Sequence, residues 1–530
     1  MSWLQDFRVA LNLWEGLTTW DPQTLEPIAG AAQFPPDVSP DGLAYTFQIR
    51  DDARWSNGDA VTAHDFIRGW RRAMEPGTAA DYRFFFTDHI AGATEYVAWR
   101  NEGVAALLAA DAVKKTEVFD AHAAQMDERF ARVGLRAQND QTLVVQLSKP
   151  CPYFLDLLGF PTFLPVHASI ELLRETHRGA PLTEQGLVVY RPHWTHPRSA
   201  FDGYPGLVTN GPYALADWTF KRAARMRANP FFRDAAAIRC RTVDMLEYDN
   251  VSASLMAFDA GDVDFLTDLS VPFEHELYRL AREGVRHDLK PCKTPATYFF
   301  NFNCASPEVA GRKNPFTDPR VRRAFTLATD RASIVENVRK RGDRPARTYV
   351  PPDAIPGYQP PDGLPFNSSI ARELLAAAGY NSGAELGPVE LLYPPRQASV
   401  CQALARMWEE SLGVQVELRA QESKTFAEEK ARQRFMIAWG NWYADYNDPT
   451  TFLDCFATGN GNNDSGYSNP NYDVLLTAAS VTNNPVSRAE ILRKAESIIV
   501  EEDCPILPIL HYSTTVAIQP YVKGLHANAR

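Results

Sequence analysis

The chain has 530 residues, 45% apolar and 22% charged, with 54 Lys+Arg against 65 Asp+Glu for a formal net charge of −11. That length exceeds what one hydrophobic core serves and implies two to four domains at about 100–200 residues each. The ordinary composition excludes a disordered, collagenous or coiled-coil chain. An acidic average field repels a phosphate backbone, so nucleic acid is not expected as a partner, and no apolar run reaches the roughly 18 residues of a membrane span.

The first residues, Met1-Ser2-Trp3-Leu4-Gln5-Asp6-Phe7-Arg8, lack the basic segment and clean apolar core of a secretion signal. Residues 39–42 form a turn signal, and residues 44–50 alternate with period two as a half-buried strand does. Thr62-Ala63-His64-Asp65 reads as a capping box, with Phe66, Ile67, Trp70 and Met74 at helical spacing behind it. Residues 95–132 read as surface helices and 142–147 as a strand. Lys149-Pro150-Cys151-Pro152 then turns the chain into an apolar run, 154–163. Asn210-Gly211-Pro212-Tyr213 is a turn before strand-like residues up to 227. Asp318 and Pro319 look like the N-cap and first residue of an amphipathic helix. Further helices are expected over 369–379 and from a capping box at 487–490 to about 502, and strands over 414–418 and 435–438. Helices and strands alternate throughout, which is an α/β pattern. The seven cysteines include no CxxC pair and read as isolated small apolar residues rather than a disulfide framework.

Signs of catalysis are sparse. There is no dinucleotide or phosphate-loop glycine motif, no HExxH and no GxSxG. His193 and His196 form an HxxH with His177 upstream, but no carboxylate or cysteine completes a metal set. The acidic runs Asp51-Asp52 and Glu501-Glu502-Asp503 read as solvated surface. One stretch differs in texture: Trp439-Gly440-Asn441-Trp442-Tyr443-Ala444-Asp445-Tyr446-Asn447-Asp448-Pro449 mixes flat aromatics with amides and carboxylates and has no nucleophile–base pair. Following an expected strand, it falls where α/β proteins place ligand loops. A carboxylate there would suit an amine, although a packed strand–loop with Asp448 as a cap is the plainer reading.

The block from Trp442 to Pro449 strongly resembles the signature loop of oligopeptide-binding proteins, the extracytoplasmic receptors of peptide ABC importers in solute-binding protein family 5. Collinear with it are Leu13-Trp14-Glu15-Gly16-Leu17, Arg54-Trp55-Ser56-Asn57-Gly58, Val61-Thr62-Ala63-His64-Asp65-Phe66, Asn210-Gly211-Pro212-Tyr213, Asp318-Pro319-Arg320-Val321-Arg322 and the loop 459–470. The resemblance spans nearly the whole chain. It implies a two-lobed α/β fold of the periplasmic-binding-protein type (class II) with an additional small domain. Residues 1–13, 168–295 and 511–530 would form lobe I, 14–167 the extra domain, and 296–510 lobe II. A short peptide would lie between hinged lobes as an added strand, held through its backbone. No turnover, cofactor or metal is expected; the partners would be short peptides and the permease subunits, and the protein a monomer.

Carried over by resemblance, Asp445 matches the aspartate that pairs with a peptide's N-terminal ammonium, and Asn441 and Tyr443 flank positions, Trp442 among them, that meet the ligand. Tyr82 matches a pocket tyrosine, Arg339 falls where a cation can meet the peptide carboxylate, and Lys430 replaces a pocket arginine. Departures are Ser423 for an expected tryptophan, Trp439 for an arginine, Asn301 for a glutamate, and Ala296 and Tyr443 for a cysteine pair of some members. The chain begins just before the first matching motif, which makes residues 2–4, Leu4 included, candidates for ligand contact. It also suggests a trimmed or misplaced start and a periplasmic or otherwise extracytoplasmic location. The alternatives are a receptor of the same fold for a nickel chelate, opine or sugar, a chaperone or sensor, and a hydrolase.

Overall fold

The computed structural model describes residues 4–111, 113–171, 206–267, 269 and 274–525. The chain divides into two compact units, Met1–Asp21 with Glu26–Tyr248, and Pro22–Leu25 with Asp249–Arg530. His177, His193 and His196 lie outside the described residues. Among the described residues no helix is long and apolar enough to cross a membrane.

The first unit opens with helix α1 (Leu4–Leu13). Strands β1 (Asp37–Val38) and β2 (Ala44–Gln48) follow, then helices α2 (Ala63–Met74) and α3 (Ala93–Ala109), then strands β3 (Leu135–Ala137) and β4 (Thr142–Gln146). The strands form an antiparallel sheet in the order β1-β2-β4-β3. The capping box at Thr62 forms: its amide donates to the Asp65 carboxylate at 2.9 Å, which holds the first turn of α2. Phe66 and Trp70 are buried along the inward stripe, and the Trp70 indole donates to the carbonyl of Phe163 at 2.7 Å, anchoring the helix on the apolar run after β4. A three-stranded antiparallel sheet follows: β5 (Tyr213–Thr219), β6 (Ala223–Ala228) and β7 (Thr242–Leu246).

The second unit is built on a seven-stranded mixed sheet. Its strands are β8 (Phe265–Leu266), β9 (Leu289–Phe302), β10 (Arg344–Pro345), β11 (Val389–Tyr393), β12 (Val416–Ala420), β13 (Ile437–Tyr443) and β14 (Ile506–Ile518). Their order is β8-β14-β9-β13-β11-β12, with β10 pairing β14 beside it. Strands β11, β12 and β13 run parallel to one another, and β9 is antiparallel to both its neighbours. Alternation along β9 sends Tyr298, Phe300 and Phe302 into one core and Phe299 into another. Both faces are therefore covered, as expected where parallel strands are joined by helices.

Three expectations need correction. The strand expected over 435–438 runs instead from Ile437 to Tyr443, so Trp439–Tyr443 form strand rather than loop. Its pairing with 296–302 supplies the reason: Gly440 faces β9 so closely that a Cβ there would sit 2.7 Å from the Phe299 ring. The helix expected to begin at Ser487 starts at Pro485, capped by Asn484, whose side chain accepts from the Ser487 amide at 3.0 Å. Proline at the first helical position is pre-set in φ and gives up no needed donor. The strand expected over 414–418 lies at Val416–Ala420. All seven cysteines are unpaired.

Candidate functional site

The ladder around β13 is asymmetric. Every residue from Ile437 to Tyr443 is in register with β9, Ala296 through Phe302. On its other side only Ile437 and Ala438 pair, with Leu391 and Leu392 of β11. Among the described residues, Trp439–Tyr443 thus present one strand edge that no strand covers, and this edge leads into the turn that carries Asp445. An uncovered edge of backbone donors and acceptors is a template for an added extended chain. Ala296 and Tyr443, the two positions set against a cysteine pair, are direct cross-strand partners.

The turn after β13 is held by side chains. The Asp445 amide donates to Thr451 Oγ1 at 3.0 Å, and Asn447 Nδ2 donates to the Leu25 carbonyl at 2.7 Å. Asp448 accepts from the Thr450 amide at 3.0 Å and forms a two-pronged ion pair with Arg488, at 2.6 and 2.8 Å. Both members are buried, so the turn is fixed from beneath while Asp445 is left only half-buried.

The other expected site residues divide into groups. Asn441, Trp442 and Lys430 line one pocket of about 200 Å³ with Phe299, Tyr349 and Phe456. Lys430 sits in helix α6 (Ser423–Ala431 by its bounds; α4 is Pro319–Leu327 and α5 Ala398–Leu412), near the Phe426 ring, and pairs with Asp464 at 2.8 Å. Cys455 also lines the pocket, and burial pushes its thiol well up, so it is an inert wall. Tyr443 is 51% exposed and stacks on Tyr512, with centroids 5.5 Å apart. Arg339 lies 5.9 Å from that same Tyr512 ring and is ion-paired with Asp343 at 2.9 Å. Burial opposes the charge on Arg339, but the carboxylate of Asp343 and Tyr512 outweigh it and raise its pKa.

Trp439 is 6% exposed and packs in the core against Tyr298 and Phe426, with Arg396 over its ring at 5.4 Å. Asn301 is 1% exposed, and its Nδ2 has no hydrogen-bond partner among the described residues. Ser423 is exposed at the first turn of α6, away from the pocket lining. Tyr82 belongs to the first unit, in an aromatic cluster with Phe7 at 5.9 Å and Phe160 at 4.7 Å. Leu4 begins α1. Asp464, Asp343, Tyr512 and Arg396 were not anticipated. Asp464 lies in the loop 459–470 that the motif reading singled out, but its pairing across 34 residues with Lys430 leaves no local pattern.

The family model for bacterial extracellular solute-binding proteins, family 5 (middle), matches residues 24–464. The oligopeptide-binding protein OppA of Bacillus subtilis (strain 168) is 30% identical over 92% of this chain and 80% of its own length. Among solved structures, the unliganded open form of the periplasmic murein tripeptide-binding protein MppA is 27% identical, covers 99% of this chain and 90% of its own, and superposes with a TM-score of 0.76. Haemophilus influenzae OppA in complex with the peptide RPPGFSPFR is also 27% identical, with 100% and 93% coverage and a TM-score of 0.65. These neighbours share a two-lobed fold with an extra domain. The chain belongs to the family 5 bacterial extracellular solute-binding proteins.

Proposed function

We propose that this protein is the extracytoplasmic receptor of an ABC importer and binds short peptides with little selection on sequence. The observation that carries the reading is the uncovered edge of Trp439–Tyr443 running into Asp445. A peptide laid along that edge gains main-chain hydrogen bonds whatever its side chains. Its N-terminal ammonium then falls to Asp445, a carboxylate on a turn that Thr451 and the Asp448–Arg488 pair hold in place. The reading receives support from relatives named as oligopeptide-, murein peptide- and dipeptide-binding proteins. It implies no turnover, a monomeric receptor, and permease subunits as its macromolecular partner.

The lobe boundaries proposed at 295/296 and 510/511 fall at an irregularity in the β9–β14 ladder. The register shifts between Lys293 and Thr297. Pro295 lies in that gap and has no N–H to donate, while its carbonyl accepts from Ala444 at 2.8 Å. A break at this point of two long strands suits a hinge.

Isothermal calorimetry with di- to pentapeptides, free and N-acetylated, tests the assignment. Free peptides should bind at least tenfold tighter than acetylated ones, about 1.4 kcal/mol, and Asp445→Asn should abolish that difference. Equal binding of both forms removes Asp445 from the site, and no binding of any peptide removes the receptor reading. Release of product would make the protein an enzyme.

A further inference from the structure

The pocket behind the β13 edge has a composition from which its preference can be read. Four of its lining residues are aromatic, Phe299, Tyr349, Trp442 and Phe456, while Asn441 and Asn462 bring neutral polar groups to it. Its two charged residues, Lys430 and Asp464, are spent on each other at 2.8 Å, with 22% and 24% of their side chains exposed. The neighbours fix both partners. Lys430 lies along the Phe426 ring at 5.8 Å. The Asp464 loop is pinned by Asn463, whose side-chain amide donates to the carbonyls of Ala457 at 3.2 Å and Tyr467 at 2.7 Å. A space of about 200 Å³ suits one ring-sized or leucine-sized side chain, since an apolar cavity of roughly 150 Å³ accepts benzene.

We propose that Asp464 is a specificity-determining residue: by neutralising Lys430 it makes this pocket select an uncharged side chain of the bound peptide over a charged one. The inference rests on the peptide-receptor reading and concerns one position of a peptide otherwise held through its backbone. An incoming glutamate would have to displace Asp464 from Lys430 or lie beside a like charge, and an incoming lysine would meet the same conflict with Lys430. Either charge would lose its water with only the neutral groups of Asn441 and Asn462 to replace it, and no counter-charge of its own. A leucine or phenylalanine side chain meets no such opposition and covers apolar surface.

The pair also predicts how preference is switched. Asp464→Asn leaves the Lys430 ammonium without its counter-charge and so favours an acidic side chain. Lys430→Met leaves the Asp464 carboxylate and favours a basic one. The double variant has neither charge and should return to the wild-type order.

The test is calorimetry on the full chain and its three variants with alanine tripeptides carrying leucine, phenylalanine, glutamate or lysine at each position in turn. Wild type should prefer leucine or phenylalanine at one position. At that position Asp464→Asn should gain roughly tenfold for glutamate, and Lys430→Met roughly tenfold for lysine, the scale of a charge-assisted hydrogen bond. Opposite single-variant shifts that vanish in the double variant establish the role. Peptide binding with unchanged side-chain order in the variants overturns it and leaves the receptor reading intact. A wild type that binds none of the peptides overturns both. Thermal unfolding of each variant identifies a folding failure, and the Lys430→Met arm decides the matter if Asp464→Asn does not fold.

Discussion

At the residue scale, the turn that carries Asp445 depends on groups packed beneath it. Asp448 accepts from the Thr450 amide, from Thr450 Oγ1 at 2.7 Å and from two Arg488 nitrogens, and Arg488 Nε donates to the Ala479 carbonyl at 3.1 Å. This satisfies a buried ion pair on all sides, which is the condition for burying charge without a large penalty. Asp448→Ala leaves the guanidinium buried and without its carboxylate, and should cost about 3–5 kcal/mol in urea unfolding. Because the same carboxylate shapes the turn that presents Asp445, peptide affinity should fall in the fraction that still folds. Arg488→Met with Asp448→Leu should recover much of the stability and none of the affinity. Full affinity in that double variant would show that Asp445 is positioned by other means. The motif made Asp448 visible as a cap, but Arg488 stands 40 residues away in a helix whose local sequence gives no hint of its partner. Asp464 was invisible for the same reason. A side chain's type can be read locally, whereas its partner depends on the fold.

At the element scale, patterns with a local cause were legible. The Thr62 capping box, the Asp318 cap with Pro319, and the alternation over 44–48 appear where their chemistry requires them. The misses came from competition between two local signals or from tertiary override. Ser487-Arg488-Ala489-Glu490 fits a capping box, yet Asn484 followed by Pro485 fits a helix start better and prevails. With α7 taken as Pro485–Ser497, Asn484→Ala should cost about 1 kcal/mol, whereas Ser487→Ala, in the first turn, should cost a few tenths at most. Equal losses in thermal unfolding would restore the sequence-based cap. The aromatic stretch 439–443 reads as a loop by composition because glycine and asparagine interrupt it. In the fold it is strand, because β9 supplies a full set of backbone partners on one side. Its other edge, uncovered beyond Ala438 among the described residues, could not have been anticipated from sequence, since it follows from where β11 ends.

At the scale of the whole molecule, buried titratable groups pull its stability in opposite directions with pH. Burial, aided by nearby cations, depresses His89 and His122 to about 4 and His511 to about 3. Such imidazoles are neutral in the fold but take up protons when unfolded. Their contribution is complete above about 6.5 and is lost as pH falls toward those values. Glu496 has the opposite sense. Burial lifts it to about 7 against the donors that favour its charge, the Tyr358 hydroxyl at 2.6 Å and the amides of Val350 and Tyr349, each at 2.8 Å. A carboxyl raised in the fold contributes fully below about 4.5, and that contribution is lost as pH rises through about 7. At about 1.4 kcal/mol per pH unit this amounts to roughly 3 kcal/mol. His511 and Glu496 act on one segment: the imidazole lies 3.4 Å from Thr348 Oγ1, one residue before the amides that Glu496 accepts. Their opposition flattens the stability profile between pH 4.5 and 6.5, and removing one side should tilt it. Glu496→Gln mimics the protonated acid, because its Oε1 can accept both amides and its Nε2 can donate to Tyr358. The variant should match wild type near pH 4.5, gain on it progressively up to pH 7, and hold a constant advantage above. Its own thermal midpoint should fall more steeply than that of wild type as pH drops from 7 to 4.5. A difference between the two proteins that does not change with pH would mean that Glu496 keeps its charge in the fold, and that the donors around it outweigh its burial.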